Sequence, residues 1–340
     1  MTALNNEITW LLDKLPPIDR VWRRSEPDFY GASYLIAQRL GKKKPPISFA
    51  AWRHGWSHLD PIIHPRLIAM GTPKTLNLVA TDRHVEILKK FGWPNSVAVG
   101  LPFIYGDFFE LDAKPNSLLV MPGHTLPYTD HQLDQESYVD QIAKLKPLFA
   151  TIVACVHSSC FAKGYWVPYF EKHGIPCIKG ADTYDKNALF RLNCILKSFE
   201  YMTTNTIGSH IAYAAYSGCK VSIYGDYFSP NKNDYRNDPY YQKYPELLNY
   251  WFDQSQKSVI EKRYPEFFTV PSEATIRKKW GEEVTGAAFK REPSEIAKLL
   301  GWSLKSQIKG CLIEGCRLMS DPGSLRKLLE RRKIAQKSKA

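Results

Sequence analysis

No stretch of the chain approaches the roughly 18 apolar residues of a membrane-spanning helix. The opening MTALNNEITWLLDKLPP lacks the cationic segment and apolar core of a secretion signal. These absences predict a cytoplasmic protein. Cys-x-x-Cys and His-Glu-x-x-His spacings are missing, which removes the common zinc signatures, and so is the Asp-x-Asp pair that holds a metal together with a nucleotide. The seven cysteines are odd in number and unpaired in spacing, so they read as reduced, packed thiols rather than a disulfide frame. No biased stretch is long enough to form a disordered domain, and 44% hydrophobic with 24% charged residues is a globular composition.

What is abundant is positive charge. A net charge of +12 calls for an anionic partner: nucleic acid, an acidic membrane face or a phosphorylated substrate. Much of the excess lies in the tail SLRKLLERRKIAQKSKA. There Leu325, Leu328 and Leu329 mark one helical face, and Arg326, Lys327, Arg331, Arg332 and Lys333 surround it. Such a helix suits the surface of an anionic membrane, so peripheral association with the inner face of the plasma membrane is expected, with a solvated terminal helix as the alternative. No nucleic-acid-binding motif accompanies the basic residues, and nucleic acid is not expected as a partner.

A length of 340 residues suits two domains of about 100 to 150 residues plus terminal helices. The helical pattern DFYGASYLIAQRLG leads through a Lys-Pro turn to the apolar run ISFAAW, then TLNLVAT, the helix DRHVEILKKFG and the strand SVAVGLPFIY. Strand, helix and strand with short connections predict a parallel sheet. The rhythm restarts at SLLVMP and passes through FATIVACVH, IPCIKG, FEYMTT and KVSIYG, each a short buried run separated from the next by a helical pattern. From Asp226 onward aromatic and charged helices replace it. The expected class is α/β, with two Rossmann-like domains facing each other across a cleft. Residues 1–112 form the first, 113–290 the second, and 291–340 are C-terminal helices that cross back to the first domain or touch membrane.

The most informative segment is EYMTTNTIGSHIAYAAYSGCKVSIYGD. A strand ends at Thr203 and Thr204, and Asn205, Thr206, Ile207 and Gly208 turn into a helix beginning near Ser209 and His210. A helix start at the C-terminal edge of a parallel sheet binds phosphate through unpaired N–H groups and the helix dipole. The same residue types also serve as ordinary caps. The segment resembles the donor-phosphate element of GT-B glycosyltransferases. It is similar to the T-x-T-G-x-x-H-x-A-x-A-x-G pattern of the heptosyltransferases, with Gly208, His210, Ala212 and Gly218 in compatible places and a longer spacing to the closing glycine. The succession from Ser117 to Gly225, including MPGHT and GADTYDKNALFRL, resembles proteins encoded with capsule and O-antigen synthesis genes. The resemblance implies a nucleotide-sugar donor, with no separate cofactor, and a saccharide or lipid-linked saccharide acceptor.

His124 and Thr125 follow the first strand of the second sheet, where the histidine can donate to a donor phosphate; this resembles the His-Pro motif of bacterial sialyltransferases, with Thr125 in the proline's place. Gly180 and Asp182, at the end of another strand, are candidates for the base or ribose. In the first domain, Arg53, His54 and Trp56 come directly after a strand. His54 is the candidate general base, with Asp60 to orient or replace it, because an acceptor hydroxyl must lose its proton as it attacks. Arg53 and Trp56 are the candidate acceptor contacts. His54-Gly55 also resembles part of the W-H-G element of teichoic-acid glycerophosphotransferases, which keeps polyol-phosphate transfer open as a rival. A noncatalytic binding protein, for a nucleotide or sugar or, through its basic charge, for nucleic acid, is a third reading. His54, His58 and His64 have zinc-like spacing, but Gly55, Pro61 and Pro65 interrupt any common helix, and metal-independent, inverting transfer is expected.

Overall fold

A computed structural model describes residues 7–125, 134–229, 231–310 and 312. The basic amphipathic tail lies outside the described residues. After a short helix α1 (Thr9–Leu12), the segment DFYGASYLIAQRLG splits in two. A 3-10 turn, Glu26–Gly31, precedes helix α2 (Ala32–Arg39), and Tyr30 and Gly31 both have positive φ at the junction. Gly31 cannot carry a side chain there, because a Cβ would run into the Lys186 carbonyl of the second half of the molecule. The kink thus lies where the chain closes on the second half of the molecule, a contact that helical periodicity does not register.

The first sheet is smaller than its apolar runs suggest. It has three parallel strands in the order β1-β2-β3: Ala51–Trp52, Asn77–Val79 and Ser96–Ala98. Pro45 and Pro46 precede β1, and Gly100 with φ 76° and Pro102 follow β3, so the runs ISFAAW and SVAVGLPFIY extend as strands over only two and three residues. No α-helix spans the β1–β2 crossover, which holds two 3-10 turns, Pro61–Ile63 and Pro65–Leu67. Helix α3 (Asp82–Lys90) joins β2 to β3; Thr81 caps it by accepting from the His84 N–H, and Lys89 and Lys90 sit at its negative end.

The second sheet has five parallel strands in the order β6-β5-β4-β7-β8. In chain order they are β4 (Lys114–Val120), β5 (Thr151–Val156), β6 (Cys177–Lys179), β7 (Phe199–Thr204) and β8 (Lys220–Ile223). Leu118, Leu119 and Val120 are fully buried, as strands covered on both faces require. Helices α4 (Gln135–Ala143), α5 (Ser158–Ala162), α6 (Val167–Lys172), α7 (Ala188–Lys197) and α8 (Ser209–Tyr216) make the crossovers. Because the chain leaves the first strand toward one side and returns on the other, the switch point lies between β4 and β7, a doubly wound, Rossmann-like arrangement.

The described residues after β8 are helical or irregular: α9 (Pro239–Lys243), α10 (Pro245–Gln254), α11 (Lys257–Arg263), α12 (Lys278–Thr285) and α13 (Pro293–Leu299). Helix α12 packs on α8 of the second half, and α13 packs on α2 of the first. The Phe49 N–H donates to the Leu300 carbonyl, and the Trp302 indole to Ser48. One buried cluster runs from Trp52, Leu78 and Val99 beside the first sheet to Leu119, Met202 and Val221 in the second. Phe103 stacks on Tyr213 at 4.0 Å across that junction. An interface this apolar holds the two halves as one packed body. Among the described residues no helix is long and apolar enough to cross a membrane.

Candidate functional site

Parallel strands place all their C-terminal ends on one side, so each sheet has a single edge where loops can gather chemistry. At the second edge, β4 delivers Gly123, His124 and Thr125, β5 delivers His157, and β7 delivers Asn205 through His210. The rings of His124 and His157 stack at 4.3 Å. His157 accepts the Ser159 N–H at Nδ1, which puts the proton of its neutral form on Nε2, and that atom is buried with no partner. His210 Nε2 lies 2.9 Å from Thr204 Oγ1 at the start of α8. Burial, followed by the nearby His124, drives His157 down to about 2 and His210 down to about 3, so both are neutral at physiological pH. This edge offers neutral N–H and O–H donors together with the positive end of a helix.

Several of the candidates there hold the edge together. Asn205 is buried; its Oδ1 accepts from the Gly123 N–H at 2.8 Å, and its Nδ2 donates to the Asp226 carbonyl. It thereby ties the ends of β4, β7 and β8. Thr125 donates its N–H to Cys160 Sγ, Thr204 Oγ1 accepts from the Thr206 N–H, and Gly208 is extended where it precedes α8. Gly180 is close-packed, since a Cβ would meet Cys155 Sγ at 3.0 Å. Asp182 is buried against the N-terminal segment, 3.4 Å from Arg20 and accepting the Tyr184 N–H. The structure therefore brings His124, Thr204 and His210 together and leaves Gly180 and Asp182 on another contact.

The first edge meets the second through the loop after β1. Ser209 Oγ donates to the Trp56 carbonyl at 3.0 Å, and the Tyr213 hydroxyl donates to the His54 carbonyl. Gly55 packs closely at this contact, where a Cβ would stand 2.6 Å from Ser209 Oγ and displace that hydroxyl. The His54 ring stacks on Phe29 at 4.7 Å beside Tyr30, and its Nδ1 is buried without a partner. Burial, then Arg53, holds its pKa down at about 3.

On the outer side of this loop, a cavity of about 630 Å³ opens at the C-terminal edge of the first sheet. Arg53, Trp56 and Asp60 line it, joined by His84, Arg83 and Arg263; His54 does not line it, nor does any residue of the second edge. Asp60 caps the turn Pro61–Ile63 by accepting the Ile62 N–H and lies 3.9 Å from Arg83. Among the described residues no group of histidines, cysteines and carboxylates is arranged to hold a metal, and His54, His58 and His64 do not converge: His58 Nε2 bonds Ser255 Oγ, and His64 Nδ1 caps its own turn.

His157 escaped sequence reading although it follows the buried run FATIVAC as His124 follows SLLVMP, so the rule that found one could have found both. Arg263 carries no such signal: it lies on α11, more than 200 residues from the Arg53 it joins.

No family model matches the chain, and no curated protein matches it. Solved structures similar to it include the following two. UDP-GlcNAc 2-epimerase from Neisseria meningitidis, bound to UDP-GlcNAc, is 12% identical, with 79% of each chain covered and a TM-score of 0.36. The pneumococcal O-GlcNAc transferase GtfA, in complex with UDP and GlcNAc, is 13% identical over 68% of this chain and 45% of that chain, with a TM-score of 0.30. Likenesses this distant do not fix an activity. The fold stands on its strand order.

Proposed function

We propose that the chain is a GT-B-type glycosyltransferase that moves a sugar from a nucleotide donor to a surface polysaccharide or glycolipid, with inversion and without a metal. One observation carries this reading: two parallel-sheet edges meet at the Ser209–Trp56 contact, one rich in neutral donors at a helix start and the other bordering a basic cavity. The donor phosphate lies at the start of α8 against His157, whose Nε2–H stabilises charge developing on the leaving group, with the stacked His124 ring holding it in place. The acceptor enters from the cavity. Of the two candidate bases, Asp60 lines that cavity and takes the proton. His54 is too weakly basic and too enclosed for the step, and it holds the loop instead.

Thermal-shift measurements with UDP, GDP, CDP, CMP and TDP test the donor half, because a ligand that binds only the native state raises the melting temperature. At least one should stabilise the wild type and fail to stabilise His124→Ala. If none does, the reading falls. With the donor identified, Asp60→Asn should lower kcat by roughly 10²- to 10⁴-fold while donor binding persists. Phosphorus NMR of the product separates sugar transfer from transfer of a polyol phosphate.

A further inference from the structure

The charges around the first-edge cavity do not balance. Three guanidinium groups line it, on Arg53, Arg83 and Arg263, against the single carboxylate of Asp60, so three positive and one negative charge leave a net of two positive. His58 and His84 add none, because burial holds them down at about 3 and about 4. Asp60 lies near Arg83 alone of the three, at 3.9 Å with both side chains largely in water. Arg263 spends its donors on neutral acceptors, the His58 carbonyl at 2.7 Å and the Gln254 side chain.

Arg53 is the enclosed member. Its Nε donates to the Gly55 carbonyl at 2.8 Å, and Nη1 faces only the Met70 sulfur at 3.7 Å, a weak acceptor. The carboxylate acting on it is Glu26, and burial pushes that carboxyl up to about 7, so it holds its proton about half the time at neutral pH. A half-buried guanidinium whose carboxylate neighbour is ionised only about half the time can take a second anion, and its planar fork matches a carboxylate or phosphate. Trp56 and Tyr264 supply aromatic walls beside these cations, and the volume falls in the range of about 300 to 1,000 Å³ typical of small-molecule sites.

We propose that this cavity binds an acidic saccharide, whose carboxylate or phosphate is held by Arg53 and Arg263 while its ring lies against Trp56. The proposal rests on the reading of the first edge as the acceptor side, and it narrows that acceptor to a negatively charged sugar.

Calorimetric titration of the full chain with three probes tests it: a glucuronic-acid-containing disaccharide, glucose 6-phosphate, and a neutral glucose disaccharide. At least one acidic probe should bind, and the neutral one should bind at least tenfold more weakly. Preference between the acidic probes tells carboxylate from phosphate. Arg263→Gln, an exposed position that leaves the core intact, should weaken acidic binding about tenfold, and Arg53→Gln should do so as well. The proposal is overturned if no acidic probe binds, if the neutral disaccharide binds equally well, or if Arg263→Gln binds with wild-type affinity. UDP and the other nucleotides are titrated in parallel. Acidic-sugar binding without any nucleotide binding removes the glycosyltransferase reading and keeps the cavity assignment; nucleotide binding without acidic-sugar binding does the reverse.

Discussion

Glu26 provides a quantitative test of the packing beneath Arg53. Its Oε2 accepts the Trp52 N–H at 2.7 Å, and its Oε1 is buried with no partner. Desolvation is the largest influence and carries the carboxyl from 4.5 up to about 7, against smaller opposing pulls from the Trp52 hydrogen bond and Arg53. The folded protein therefore retains a proton that the unfolded chain has released. Below pH 4.5 both states are protonated and the position carries no penalty. As pH rises toward 7 the folded state binds more protons than the unfolded one, so stability falls, with a slope of at most ~1.4 kcal/mol per pH unit. Because each tenfold change in acidity corresponds to ~1.4 kcal/mol, the total loss is about 3 kcal/mol. Glu26→Gln keeps an acceptor for the Trp52 N–H and removes the ionisation. Urea denaturation of both proteins from pH 4 to 8 should show a difference in stability that grows in favour of the variant by about 3 kcal/mol between pH 4.5 and 7 and is flat beyond. Parallel profiles would refute the assignment of a buried, protonated carboxyl.

Three other outcomes follow from the same geometry. Gly281 lies where α12 crosses α8, and a Cβ there would run into the backbone of Ala215 and Tyr216; Gly281→Ala should therefore cost about 1 to 3 kcal/mol in chemical denaturation, and a neutral result would show that the helices separate freely. Ser209→Ala removes the bond to the Trp56 carbonyl and should lower stability by about 1 kcal/mol while nucleotide stabilisation persists; loss of nucleotide response at unchanged stability would mean that the hydroxyl serves the donor instead. Asn205→Ala leaves the buried Gly123 N–H unpaired, at a cost of about 1 to 3 kcal/mol, and should weaken nucleotide binding by releasing the His124 loop, both measurable in one set of melting curves.

The second sheet was legible because most of its strands carry a short apolar run closed by glycine or a polar turn, a local pattern that survives in one dimension. The first sheet was less so. Its apolar runs are longer than its strands, since Pro45, Pro46, Gly100 and Pro102 limit pairing while the flanking residues stay apolar to feed the core shared with the second half. The kink at Tyr30 and Gly31 packs against Lys186, more than 150 residues away, a contact that periodicity along the chain does not register.

For the site, the sequence by itself determined which residues stand at strand ends. A side chain just past a buried strand in a parallel sheet must emerge at the C-terminal edge, and the sequence alone places His124, Thr204, His210, Arg53 and Asp60 there. Tertiary structure alone decided which of these face open space. The Phe29 ring enclosed His54, Arg20 engaged Asp182, the Trp56 carbonyl took up the Ser209 hydroxyl, and Arg263 on a distant helix came to line the same cavity as Arg53. Strand periodicity is a property of neighbours along the chain. Burial and charge balance are properties of neighbours in space, and only the folded chain supplies those.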